Sequence, residues 1–188
     1  NTIAEKLLKG NHEVICTYHK KKPNNLAKFK KSNLIHIDLK KKILHDFDVD
    51  VLIHCASATP EKYKEKYFDK INIFGFKSLL KKLNLKILKK IILISSISIY
   101  EDNNQKHINE ETKPKFHSKY ALSKFRQEKV LKSFQKGSIK KIILRLSSIL
   151  SKNSEVNFFC RMINDIKKER EIRLFGAEKK INSIFYVN

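Results

Sequence analysis

"KKIILISSIS", residues 89–98, opens on two lysines, runs through four aliphatic side chains and closes on serines. A strand with one face in water alternates apolar and polar residues. An unbroken apolar run is expected where both faces are covered, as in a parallel sheet flanked by helices. "DVLIHCAS" (50–57) and "KKIILRLSS" (140–148) have the same form, and "HEVICTY" (12–18) and "NLIHIDL" (33–39) read as shorter strands. Helical spacing lies between them. Ile3, Ala4, Leu7 and Leu8 recur in 2–10, with Gly10 as the stop, and Leu79, Leu80 and Leu83 close a helix over 61–84. Residues 118–135 carry Ala121, Leu122, Phe125, Val130, Leu131 and Phe134 on a further helix; a helix at 156–169 and a short strand, "EIRLFG" (171–176), follow. Strands alternating with helices predict an α/β fold, a parallel sheet flanked by helices.

The charge invites another reading. The chain has 188 residues and a net charge of +22. Yet only 5 of its 41 basic residues are Arg, and the lysines fall in pairs and triplets along the whole length. Specific nucleic-acid sites favour Arg gathered on one face, so a solvated Lys-rich surface is expected, with neither nucleic acid nor membrane as partner. Cys16, Cys55 and Cys160 stand far apart in apolar segments, and the seven histidines are scattered. No metal site is expected, and reduced buried thiols fit a cytoplasmic protein. No apolar run is long enough for a membrane span.

Ligands of open α/β sheets bind beyond the carboxyl ends of the strands. Three of those ends are rich in small and hydroxyl residues: "HCASATP" after 53, "SSISIYED" after 94 and "SSILSKN" after 146. Residues 99–116 form a long polar loop with Pro114, and "KYALSKFRQEKVL" (119–131) follows it. Tyr120 and Lys124 stand four apart there, on one helix face. Tyr18 and Lys22 have the same spacing, so spacing alone does not mark a catalytic pair; the strand and loop before each copy do.

These segments, in this order, resemble the extended short-chain dehydrogenase/reductases, or NAD-dependent epimerase/dehydratases, and the resemblance implies a doubly wound, Rossmann-like parallel sheet. "DVDVLIHCASATP" is similar to the family's fourth strand and cofactor turn. "NIFGFKSLLKKL" (72–83) resembles its Asn-x-x-Gly-Thr segment, with Phe76 where Thr is usual. "KKIILISSISIYED" resembles the strand of the catalytic Ser or Thr, and "LRLSSIL" and "LFGAEKKINSIFYVN" resemble later landmarks.

The resemblance implies a catalytic set of Ser96, Tyr120 and Lys124. Tyr120 would exchange a proton with a sugar hydroxyl or carbonyl, Lys124 would hold the nicotinamide ribose and lower the tyrosine pKa, and Ser96 would orient the reacting oxygen. It places Tyr18, His19, Lys20, Asp38, Leu39, Cys55, Ala56, Ser57, Asn72 and Ser147 at the cofactor, and Thr59, Ser148 and Asn157 at the substrate. NAD enzymes usually end the second strand in an acid that binds the adenosine ribose. Tyr18 stands there, followed by His19, Lys20 and Lys21, which favours NADP over NAD. The 4,6-dehydratases have Asp and Glu directly after the Ser/Thr, where this chain has Ile97 and Ser98. A nucleotide-sugar epimerase or a keto-sugar reductase therefore remains.

The family begins with a strand and a glycine-rich turn ahead of the segment like residues 2–10 and continues past residue 188. The expectation is a chain truncated at both ends: a dinucleotide-binding domain over 1–148 without its first strand and phosphate loop, and the start of a substrate lobe over 149–188. Weak or absent cofactor binding is expected of these residues alone, and a homodimer of the complete protein. Two other readings remain open: a non-catalytic dinucleotide-binding relative, and a basic RNA- or membrane-binding module.

Overall fold

The structure, a computed structural model, describes residues 2–101, 107–134, 137–151, 158–171 and 184–187. Its elements are α1 (Thr2–Lys9), β1 (Val14–Tyr18), α2 (Asn24–Ala27), β2 (Ser32–His36), β3 (Val51–His54), α3 (Phe76–Leu80), β4 (Lys90–Ser96), α4 (Lys119–Ser133), β5 (Lys140–Leu146), β6 (Ser148–Ser151), α5 (Phe158–Lys167) and β7 (Ile184–Val187). Every ladder is parallel: β1 with β2, β4 between β3 and β5, and β6 with β7.

β4 lies at the centre of its sheet. Its residues alternate fully and partly buried, and Ile91 and Leu93 are completely enclosed. The flanking strands are less covered than the sequence leads one to expect. Val51 in β3 and Leu144 in β5 remain 41% exposed, since only β4 has a strand on each side. Phe76, Leu79 and Leu80 of α3 and Leu131 of α4 join Ile91 and Leu93 in one core, on which Ile15 of β1 and Ile35 of β2 also pack. Among the described residues no strand joins β1 to β3. The two sheets meet through side chains.

The helix expected over 61–84 differs from its prediction. It starts at Glu65 with a 3₁₀ turn to Tyr67, widens into a π-helix over Asp69–Gly75 and becomes α-helical only at Phe76. A π turn is rare and tends to occur at functional sites. Gly75 lets this one lie against the segment after β2: a Cβ there would stand 2.6 Å from the Leu39 carbonyl oxygen and 2.7 Å from the Leu39 Cβ. The predicted strand at 171–176 lies outside the described residues, except Glu171. The third sheet, β6 with β7, begins at Ser148.

Candidate active site

The carboxyl ends of β3 and β4 lie side by side, because His54 pairs with Leu93 in the parallel register. Beyond β3 the chain turns through Cys55 and Ala56, both exposed, into Ser57 and Ala58. Asn72, in the π-helix and fully buried, fixes that turn. Its Oδ1 accepts the Ala58 amide at 2.7 Å and the Ser57 hydroxyl at 3.0 Å; its Nδ2 donates to the Ala58 carbonyl at 3.1 Å and the Ser123 hydroxyl at 2.9 Å. The side chain thus has both donors and two acceptor sites engaged within the protein. Asn72 was expected at the cofactor; the geometry makes it a residue that positions Ser57 and α4.

Ser96 ends β4. Its Oγ accepts the Ser98 amide at 3.2 Å and lies 2.9 Å from the Ser98 hydroxyl, starting a 3₁₀ turn over Ile97–Tyr100. α4 begins after Ser118, whose hydroxyl accepts the Ala121 amide at 3.1 Å, a standard N-cap. Glu101 holds that cap: its carboxylate accepts the amides of His117 and Ser118 at 2.9 and 2.6 Å and the Ser118 hydroxyl at 2.9 Å. Tyr120 is thereby placed in the first turn of α4, where its side chain comes near enough to Ser96 for that hydroxyl to act on its phenol and its ring meets Phe68 edge-on, with centroids 5.8 Å apart. Both ends of the long loop are pinned, so Ser96 and Tyr120 meet although twenty-four residues separate them.

Tyr120 forms one wall of a cavity of about 660 Å³, with Pro60, Glu61, Tyr63, Phe68 and Ser118 among its other linings. Thr59 lies beside that rim, its carbonyl accepting the amides of Lys62 and Tyr63, each at 3.0 Å. Burial raises the Tyr120 phenol above its ordinary pKa, the nearby Ser96 side chain pulls against this, and Glu61 adds to the rise.

The Lys124 ammonium was expected to lower the phenol's pKa. It is held elsewhere: Nζ donates to the Ile94 carbonyl at 2.8 Å and to Gln127 Oε1 at 2.5 Å. Lys124 is 1% exposed, and a buried ammonium takes the acceptors within reach. Burial lowers its pKa to about 8, against the pull of Glu128 and then Cys55. His54, stacked on Phe76 with centroids 4.5 Å apart, is held neutral by burial and by Lys124, at about 3. Burial pushes the Cys55 thiol up.

The residues expected at the adenosine end are less open than the sequence suggests. His19 Nε2 lies 3.6 Å from Asp38 Oδ2 and Lys40 Nζ lies 3.8 Å from it, while the Lys40 amide donates to Oδ1 at 2.9 Å. The Tyr18 ring packs edge-on against His36, and Lys20 is exposed. Leu39 packs into the core and against Gly75. At the end of β5 the Ser147 hydroxyl is buried with no hydrogen-bond partner. The Ser148 side chain and Asn157 lie outside the described residues. Among the described residues no cluster of His, Cys, Asp and Glu could hold a metal ion, and no helix is long and apolar enough to cross a membrane.

The sequence reading missed Gln127, Glu128 and Arg145. All three are polar residues at positions that should be apolar. Gln127 and Glu128 lie on the inward side of α4, next to Lys124, and are no more than 1% exposed. Arg145 interrupts "IILRL" in a chain that otherwise uses Lys. That misfit was the available signal.

The profile of the NAD dependent epimerase/dehydratase family matches residues 1–188. UDP-glucose 4-epimerase of Lactobacillus helveticus is 29% identical over 164 residues, covering 82% of this chain and 49% of that protein. The crystal structure of UDP-glucuronic acid 4-epimerase from Bacillus cereus in complex with NAD matches with a TM-score of 0.83 at 21% identity, over 98% of this chain and 65% of that one. The Bordetella bronchiseptica enzyme WbmG in complex with NAD and UDP matches with a TM-score of 0.76 at 16% identity, over 90% of this chain and 56% of that one. At these identities the structural likeness speaks for the fold. The chain spans about half the length of the curated relative it matches.

Proposed function

The chain belongs to the NAD dependent epimerase/dehydratase family, and we propose that the protein carrying it is an NAD-dependent nucleotide-sugar epimerase in which Tyr120, Ser96 and Lys124 manage the proton. The observation that carries this reading is the placing of the Tyr120 phenol at the wall of the 660 Å³ cavity, with the Ser96 hydroxyl near enough to act on it. A phenol aligned by a hydroxyl can exchange a proton with a sugar hydroxyl set between them. The named relatives include two 4-epimerases, one in complex with NAD.

The residues present fit the nicotinamide half of such a cofactor. Cys55 and Ala56 offer an exposed turn of small side chains, and the buried Ser147 hydroxyl is an unused donor at the next strand end but one. When bound, the nicotinamide supplies a hydride acceptor and donor. The protein's part is orientation and proton transfer. Ser96 aligns the reacting oxygen, and Tyr120 takes its proton and returns it. Lys124, to reach a ribose, exchanges the Ile94 carbonyl and Gln127 for the sugar's hydroxyls.

The expected NADP preference, and with it the reductase reading, has little support. The solved relatives named above are NAD complexes. His19, one of the three residues behind that expectation, is drawn to Asp38, whose carboxylate would repel a 2′-phosphate. The same reading takes residues 1–148 as the cofactor lobe and 149–188 as the start of the substrate lobe of a homodimer.

The test is to incubate the complete protein with NAD and a panel of nucleotide sugars, and to look for C4 epimers by chromatography. Tyr120→Phe should lower kcat by roughly 10²- to 10⁴-fold and leave the unfolding midpoint close to that of the parent. Full activity in Tyr120→Phe would overturn the assignment, and product formed only with NADPH would favour the reductase.

A further inference from the structure

α4 buries Lys124, Gln127 and Glu128 within little more than one turn, none more than 1% exposed. Charges so deep are costly unless each is matched. The match for Glu128 comes from the sheet. Arg145 in β5 forks onto it, Nε to Oε1 at 3.0 Å and Nη2 to Oε2 at 2.8 Å. Ser95, the neighbour of Ser96 in β4, donates to Oε1 at 2.6 Å. Arg145 also donates to the Tyr100 hydroxyl and lies over its ring, 5.2 Å from the centroid; that hydroxyl donates to the Asn109 carbonyl at 3.2 Å. One carboxylate therefore ties α4 to both strands beneath it and to the loop that follows Ser96.

We propose that Glu128 is a positioning residue for Tyr120 and Lys124: its carboxylate, fixed by Arg145 and Ser95, keeps Lys124 an ammonium and holds that turn of α4 in register with Ser96. The proposal rests on the proton-transfer reading of the site, and Glu128 acts in it only through Lys124. The groups facing the ammonium are Glu128 on its own helix and His54 and Cys55 at the end of β3, with Arg145 behind Glu128. His54 stays neutral and the Cys55 thiol is pushed up, which leaves the carboxylate that Arg145 grips at 2.8 Å as the partner that favours the ammonium. Burial drives the ammonium toward neutrality and Glu128 is the first influence against it.

The test uses Glu128→Gln and Arg145→Gln in the complete protein, because the proposal gives them opposite signs. Affinity for NAD, followed by fluorescence across pH 6–10, should fall as Lys124 loses its proton. In Glu128→Gln that fall should move to lower pH by about one unit or more, the usual effect of losing an adjacent opposite charge. In Arg145→Gln, where the carboxylate no longer shares its field with a guanidinium, the fall should move upward. A purely structural role lowers affinity in both variants and moves neither fall, which would overturn the proposal. If Glu128→Gln does not fold, Arg145→Gln decides alone: an upward move supports the proposal, and an unmoved or downward one overturns it.

A second arm needs no cofactor, so it separates this inference from the functional reading. Lys124 has a folded pKa below its unfolded value, so its contribution to stability rises with pH between the two. In urea unfolding that rise should begin at lower pH in Glu128→Gln and at higher pH in Arg145→Gln. An onset unchanged from the parent in both overturns the inference, whether or not a sugar is turned over. Absence of turnover with every nucleotide sugar tested would sink the functional reading alone.

Discussion

Asn72 grips Ala58 by both of its backbone groups, accepting its amide at 2.7 Å and donating to its carbonyl at 3.1 Å. The same amide nitrogen reaches Ser123, whose hydroxyl donates onward to the Tyr120 carbonyl at 2.7 Å. Truncation to Ala would leave a buried amide and a buried hydroxyl short of partners. Asn72→Ala should therefore lower stability by about 2–4 kcal/mol, read as a lower urea midpoint at unchanged slope. Asn72→Asp should do no better. Its second oxygen would face the Ala58 carbonyl and the Ser123 oxygen, both of which need a donor there.

Gly75 tests whether the π-helix depends on its close approach to Leu39. The added methyl of Gly75→Ala would meet backbone at 2.6 Å, and backbone cannot swing aside. A loss of about 1–3 kcal/mol is expected, as for other overpacked sites. Gly10→Ala is the control. Its nearest neighbour, the Leu7 carbonyl, would stand at 3.3 Å at an exposed helix end, and stability should stay within about 0.5 kcal/mol of the parent.

These two residues mark the boundary of what the sequence made legible. The strands were readable because a parallel strand enclosed on both faces needs consecutive apolar residues, and "KKIILISS" could hardly be anything else. Ser96, at the end of that run, followed from the strand. The π-helix was not readable, since its hydrogen bonds skip one residue more than the 3.6-residue periodicity that apolar spacing reports. Asn72 could be singled out only by resemblance, and its partners lie 14, 15 and 51 residues away. No local pattern encodes a hydrogen bond of that span. Lys124 was expected to serve Tyr120. No local pattern showed that the Ile94 carbonyl and Gln127 would accept from this buried ammonium.

Asp38 should decide the choice between the two nicotinamide dinucleotides. Its carboxylate holds His19 and Lys40 beside the end of β1, and a 2′-phosphate brought there would meet a like charge. The complete protein should prefer NAD. Asp38→Asn keeps the shape, removes the charge and releases His19, so the ratio of the two KM values should shift toward NADP by roughly 5- to 30-fold, the equivalent of 1–2 kcal/mol. A ratio unmoved by Asp38→Asn would mean that this carboxylate does not face the ribose.

Glu101 should make the start of α4 sensitive to acid. Burial raises its carboxyl pKa, but the Ser118 and His117 amides and the Ser118 hydroxyl outweigh burial and hold it below the ordinary carboxylate value. The N-terminal end of α4, where amides lack helical partners, favours that negative charge as well. With the folded pKa below the unfolded one, the unfolded chain binds the proton more readily in the interval between them. The stabilisation is therefore complete above the unfolded pKa and lost as pH falls through the folded one. Glu101→Gln removes the charge and turns an amide NH₂ toward groups that are themselves donors, so the variant should be the less stable at pH 7. The gap between parent and variant should then narrow between about pH 5 and pH 3, as the parent loses what the variant never had. Urea midpoints at pH 7, 5, 4 and 3 measure it. A gap of the same size at pH 3 as at pH 7 would mean that Glu101 acts through shape alone, and that the placement of Tyr120 owes nothing to its charge.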